Sequence, residues 1–90
     1  MRMTRHAQLR CQQRNVPPLI REWLLDYGAE LRTPEGAVKR YFDRESRRRL
    51  AAEFGPKVID RLGDLLNEYL VENGEVIITA GIRTRRFQRP

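Results

Sequence analysis

The stretch from Glu68 to Ile82 limits the fold of this chain more than any other. Two mostly apolar runs, Glu68-Tyr69-Leu70-Val71 and Val76-Ile77-Ile78-Thr79-Ala80-Gly81-Ile82, flank the turn Glu72-Asn73-Gly74-Glu75. Asn-Gly readily adopts the positive φ angles of tight hairpin turns, so the segment reads as a β-hairpin. A second hairpin is predicted from Ala29 to Phe42, where Thr33-Pro34-Glu35-Gly36 separates Glu30-Leu31-Arg32 from Ala37-Val38-Lys39-Arg40-Tyr41-Phe42. Two hairpins in ninety residues imply an antiparallel sheet that needs helices to cover one face.

The intervals carry helix signals. Thr4 suits the N-cap of a first helix running to about Arg14, which Asn15-Val16-Pro17-Pro18 ends. Pro18 fits the first turn of a second helix, in which Leu19, Ile20, Trp23, Leu24 and Tyr27 recur at helical spacing before Gly28 closes it. That stripe, Trp23 and Tyr27 included, is expected in the core. Asp43 can cap a third helix with Glu45 and Arg49 as an i,i+4 ion pair, and Leu50, Phe54, Val58, Ile59, Leu62, Leu65 and Leu66 as its apolar stripe. Gly55-Pro56 should break or kink it. The expected architecture is α+β in a single domain over 1–90: two N-terminal helices, then an antiparallel sheet of two hairpins separated by a third helix.

Charge separates the ends from the middle. The net charge is +6, and sixteen of the eighteen cations are arginine, whose planar fork suits phosphate. The first fourteen residues hold Arg2, Arg5, Arg10 and Arg14 with no acid, and the last eight hold Arg83, Arg85, Arg86 and Arg89 with no acid. The ends therefore carry +8 and the body between them −2. A polyanion is the implied partner. No apolar run approaches the roughly 20 residues of a membrane span, and the basic N-terminus lacks the apolar stretch of a secretory signal, so a cytoplasmic location is expected. One cysteine and one histidine exclude an internal disulfide and a structural zinc site, and no metal or cofactor is implied. A Gly-rich phosphate loop, a Gly-x-Ser-x-Gly elbow and internal repeats are all lacking, which argues against nucleotide-driven and acyl-transfer chemistry.

Both basic ends are patterned. His6, Arg10 and Arg14 follow at i, i+4, drifting about 40° per step around the helix, so they form one polar stripe with Ala7 and Cys11 beside it. Along the last strand, Val76, Ile78, Ala80 and Ile82 should share a core face, with Ile77, Thr79, Gly81, Arg83 and Arg85 on the other. If the first helix packs across that second face, an imidazole and up to four guanidinium groups converge on one phosphate. Arginines can hold a phosphodiester and stabilise its transition state, while a neutral imidazole can accept the proton of an attacking ribose hydroxyl. Metal-free RNA cleavage fits, with His6 as base and Arg10, Arg14, Arg83 and Arg85 as phosphate clamp. Tyr69, Tyr41 or an arginine-held water stand open as the leaving-group acid. The alternative is a non-catalytic module that binds nucleic acid or an acidic partner protein through the same patch. A third reading has Arg10 and Arg14 tie the fold together by pairing with acids of the middle region. Arg47-Arg48-Arg49, flanked by Glu45 and Glu53, reads as a solvated helix face, and Cys11 as a small buried hydrophobe.

Thr4-Arg5-His6-Ala7 followed by Arg10 and Arg14, the proline-led helix ending in Tyr27-Gly28, and Val76-Ile77-Ile78-Thr79 leading into arginines resemble a bacterial domain-of-unknown-function family of small basic proteins. Its members open with T-x-H-A-x-x-R-x-x-x-R and close with a hairpin ending in V-I-T plus basic residues. The resemblance covers nearly the whole chain. That family is in turn similar to RelE-like and BrnT-like toxins and to the barnase/colicin-type ribonuclease fold. The resemblance implies His6, Arg10, Arg14 and Thr79 as the signature positions, Arg83, Arg85 and Arg86 as an RNA-binding basic ending, and an antitoxin as partner.

Overall fold

The computed structural model describes residues 2–83. Element order is β1 (Arg2–Met3), α1 (Arg5–Gln13), α2 (Pro18–Tyr27), β2 (Ala29–Arg32), β3 (Val38–Tyr41), α3 (Arg44–Phe54), α4 (Lys57–Leu62), a 3-10 helix (Gly63–Asn67), β4 (Glu68–Asn73) and β5 (Val76–Ile82). The protein is a mixed α and β structure. Among the described residues no helix is long and apolar enough to cross a membrane.

Local chemistry sets the helix ends. Thr4 Oγ1 accepts the Ala7 N–H at 3.1 Å, and Asp43 Oδ1 accepts the Ser46 N–H and hydroxyl, each at 2.8 Å. Past α1, Asn15 takes a left-handed φ of 54° and turns the chain into Pro17-Pro18. Gly55 at φ 95° followed by Pro56 separates α3 from α4, so the third predicted helix is two helices and a 3-10 turn.

The sheet order is β1-β5-β4-β3-β2. Both expected hairpins form, but the sheet is not the purely antiparallel pair of hairpins expected. The residues before the first helix add a strand parallel to β5, with Arg2 opposite Val76 and Met3 opposite Ile77. Two residues are too short to leave an alternation signal. The turn of the last hairpin also differs: Asn73 is the final strand residue, paired with Val76, and the positive φ of 64° falls on Gly74 alone.

The alternation expected along β5 breaks midway. Val71 pairs with Thr79 but Glu72 pairs with Ile77, which leaves Ile78 as an extra residue, a β-bulge. Ile77 and Ala80 therefore both enter the core, whereas the unbroken pattern put Ile77 opposite Ala80. They join Ala7 and Cys11 of α1, Ile20 and Leu24 of α2, Leu50 of α3, and Phe42, Leu66 and Leu70. Burying each of the larger side chains stabilises the fold by about 1.5–3 kcal/mol. Trp23 and Tyr27 lie partly buried at the margin of this core, where the Trp23 ring stacks on Phe54 with centroids 4.7 Å apart.

Arg40 ties the layers together. From the helix-covered side of β3 it pairs with the buried Glu72 of β4, with Glu30 of β2 at 3.1 Å, and donates to the Leu25 carbonyl of α2 at 3.1 Å. On α3, Glu45 pairs with Arg48 rather than with Arg49, whose guanidinium stands 5.4 Å from the Tyr27 ring centre.

Candidate functional site

Helix α1 runs along the outer edge of β5 past the point where β1 stops. The bulge turns the carbonyls of Ile77 and Ile78 to that same edge. Thr4 satisfies both, its N–H donating to Ile77 O at 2.9 Å and its hydroxyl to Ile78 O at 3.4 Å. Two turns on, Arg10 Nε donates to Ala80 O at 3.4 Å. The backbone and side chain of the Thr4 cap, with the Arg10 side chain of α1, thus take the place of a longer edge strand. Ala7 and Cys11 anchor the helix from its other side, and Cys11 is a buried free thiol.

This docking brings the chain's one histidine to the last strand. His6 Nε2 lies 3.3 Å from Thr79 Oγ1, on the exposed side of the edge and on the sheet face opposite Ala80. Arg10 follows His6 by one helical turn on α1. Arg14 is the C-cap of α1 and is exposed. Neither arginine pairs with an acid of the middle region: the ion pairs among the described residues are Arg40 with Glu30 and Glu72, and Arg48 with Glu45. The fold-tying reading of Arg10 reduces to one hydrogen bond with a neutral carbonyl.

The other end of β5 is arranged differently. Arg83 does not lean toward His6. Its N–H donates to Asn67 O at 2.6 Å, and its guanidinium lies 5.4 Å from the ring centre of Tyr41 on β3, two strands away from β5. Arg85 and Arg86 lie outside the described residues. The side-chain gap expected at Gly81 is filled by Tyr69: a Cβ on Gly81 would fall 2.6 Å from the Tyr69 hydroxyl. Gly81 is two residues from Thr79 on the same face, so the Tyr69 hydroxyl stands about 7 Å along the strand from Thr79.

Arg47 belongs to a site that the sequence reading placed on a solvated face. It is half-buried, and its Nη2 donates to Leu66 O at 3.2 Å and to Asn67 Oδ1 at 3.1 Å. Burial, and after it the nearby Arg83 charge, lower its pKa from the ordinary arginine value. The available signal was positional, since Arg47 directly follows the buried Ser46 and precedes the buried Leu50 by three, which sets it at the margin of the inward stripe.

The site therefore offers an imidazole held by a hydroxyl, guanidinium groups with no carboxylate partner, and a nearby phenol. Together these are groups for moving a proton beside a bound anion. No family model, curated protein or solved structure matches this chain.

Proposed function

We propose that this protein binds RNA at the edge of β5 and cleaves it without a metal ion, a reading in line with its resemblance to a domain-of-unknown-function family that is in turn similar to RelE-like toxins. The contact between His6 and Thr79 carries the reading: the only imidazole of the chain is held against the last strand, 73 residues away, and the same helix carries Arg10 and, at its C-cap, Arg14, which form no ion pair with an acid among the described residues.

In this mechanism Nε2–H of His6 donates to Thr79 Oγ1, which leaves Nδ1 as the base. Nδ1 takes the proton of the ribose 2′-hydroxyl, and the 2′-oxygen attacks the adjacent phosphorus. The bond from phosphorus to the 5′-oxygen breaks, giving a 2′,3′-cyclic phosphate and a 5′-hydroxyl end. Arg10 and Arg14 bind the phosphate oxygens and stabilise the charge of the pentavalent state. Tyr69 is better placed than Tyr41 to protonate the leaving oxygen, because it stands over Gly81 on the Thr79 face while Tyr41 lies beneath Arg83. A cytoplasmic antitoxin of acidic character would cover the same arginines.

The test is incubation of the purified protein with single-stranded RNA in excess chelator, beside His6→Ala. Cyclic-phosphate ends from the unmodified protein alone support the mechanism. RNA that is bound yet left intact by both proteins overturns cleavage and leaves a binding module.

A further inference from the structure

We infer that β2 is a dimerisation edge, at which two copies of this chain join their sheets by antiparallel pairing of residues 29–33 about a two-fold axis at Leu31. The edge is remote from His6, which lies beside β5, three strands away in the sheet order.

The two edges of the sheet differ. On one side, Thr4 and Arg10 bond the outward carbonyls of β5. On the other, β2 pairs with β3 in unbroken register, has no proline within it, and has no strand beyond it among the described residues. Alternation fixes which of its backbone groups are left over. Thr33 N–H donates to Ala37 O at 2.8 Å, so Thr33 and, by the two-residue period, Leu31 and Ala29 turn their groups to β3. Those of Glu30 and Arg32 therefore point outward. At the next outward positions, Gly28 already gives its N–H to Leu24 O, and Pro34 has no N–H to give. The edge presents two N–H donors, on two neighbouring outward positions.

Those two residues carry opposite charges, and this selects the partner. In an antiparallel pair centred on Leu31, Glu30 of each copy faces Arg32 of the other. The outward donors and acceptors of both copies are then met by four backbone hydrogen bonds. Centring the pair on Glu30 or on Arg32 instead sets like charges opposite each other, which is destabilising. One register is thus favoured over its neighbours. Arg32 makes no ion pair among the described residues, and the Glu30 side chain, though it accepts from Arg40, is 52% exposed. Leu31, half-buried in the single chain, meets its own copy at a non-hydrogen-bonded position, where facing side chains come closest. A foreign strand would need the same Glu-x-Arg order to match, whereas a second copy has it by identity.

The experiment follows the mass of the full chain in solution from about 5 to about 500 µM, with amide exchange at Glu30 and Arg32 at both ends of the range, because an interface this small is weak. Expected are a monomer at the low end, a dimer at the high end, and exchange at these two amides that slows as the dimer forms. Leu31, whose N–H already faces β3, should change less. Arg32→Glu should weaken the dimer about tenfold or more. Mixing it with Glu30→Arg should restore a dimer of one copy of each, since every facing pair is then of opposite charge. A chain that stays monomeric throughout overturns the inference. So does a dimer in which Glu30 and Arg32 exchange as fast as in the monomer, because another surface then joins the copies. Slow exchange at both amides that does not vary with concentration also overturns it, since a segment of the same chain then covers the edge. If Glu30→Arg folds poorly without its contact to Arg40, Arg32→Glu and the exchange measurement decide by themselves.

Discussion

His6 and Thr79 stand 3.3 Å apart although 73 positions separate them. The contact depends on two local devices, a threonine that caps α1 while bonding the edge of β5, and a bulge that turns consecutive carbonyls toward that threonine. Either alone would leave the helix adjacent to the strand but unregistered against it.

Cleavage should respond unequally to the two partners. Loss of a general base typically costs 10²–10⁴-fold, so His6→Ala is expected to lose roughly that much in kcat. Thr79→Val removes one orienting hydrogen bond and should cost roughly tenfold, since about 1.4 kcal/mol is a factor of ten. Single-turnover rates on one RNA check both. Equal losses would remove the base role from His6.

Glu68 should make stability depend on pH. It is 3% exposed, its Oε2 has no hydrogen-bond partner among the described residues, and burial pushes its pKa from 4.5 up to about 7. Between those values the folded state holds a proton that the unfolded chain has released, so this group's contribution falls as pH rises from about 4.5 and the full penalty applies above about 7. The span corresponds to roughly 3 kcal/mol. Glu68→Gln should therefore raise stability at pH 8 and flatten the profile, as denaturant midpoints at pH 5 and pH 8 would reveal.

Arg40→Met should be among the most damaging changes. It leaves the buried Glu72 carboxylate without its cation and frees the Leu25 carbonyl, for which about 3–5 kcal/mol is the expected loss. Adding Glu72→Gln to Arg40→Met should recover part of it in chemical denaturation. A double variant no more stable than Arg40→Met would mean that the pair contributes little.

Gly81→Ala tests the place of Tyr69. The added methyl would lie 2.6 to 2.9 Å from three atoms of that side chain, so the ring must move, at about 1–3 kcal/mol. Shortening the neighbour in Gly81→Ala with Tyr69→Leu should relieve most of the loss, measured by melting temperature.

Much of this was legible in the sequence because its signals were local. Thr4, Pro18, Asp43 and Gly55-Pro56 mark helix ends through their own backbone chemistry, and those ends fall where expected. Phase was not legible. Nothing in Val76-Ile77-Ile78-Thr79 says which of two adjacent isoleucines is the unpaired one, because either can fill the core and only the edge bonds to Thr4 decide. Of the candidate site, the two periodicities marked His6 and Thr79, but the first helix does not pack across the Thr79 face as expected: Ala7 and Cys11 seat α1 against Ile77 and Ala80, and His6 meets Thr79 at the sheet edge. The turn of Arg83 toward Tyr41 was not legible either, since it depends on Asn67, a residue at the end of a 3-10 helix with no periodic pattern to mark it. Arg47 was obscured by its neighbours, as three consecutive arginines look alike until the helix shows which one faces inward.

The parallel pairing of β1 with β5 has a kinetic consequence. Both hairpins close over short loops, whereas Arg2 and Met3 reach Val76 and Ile77 only by closing a loop of more than seventy residues. The first strand and helix are therefore expected to dock after the hairpins have formed, and to detach before them. In such a partly opened state most of the sheet persists while His6 and Thr79 are apart, so the site has a melting transition of its own below that of the sheet. Amide exchange should be faster at Thr4, whose N–H bonds Ile77, than at Leu70 in the middle of the sheet.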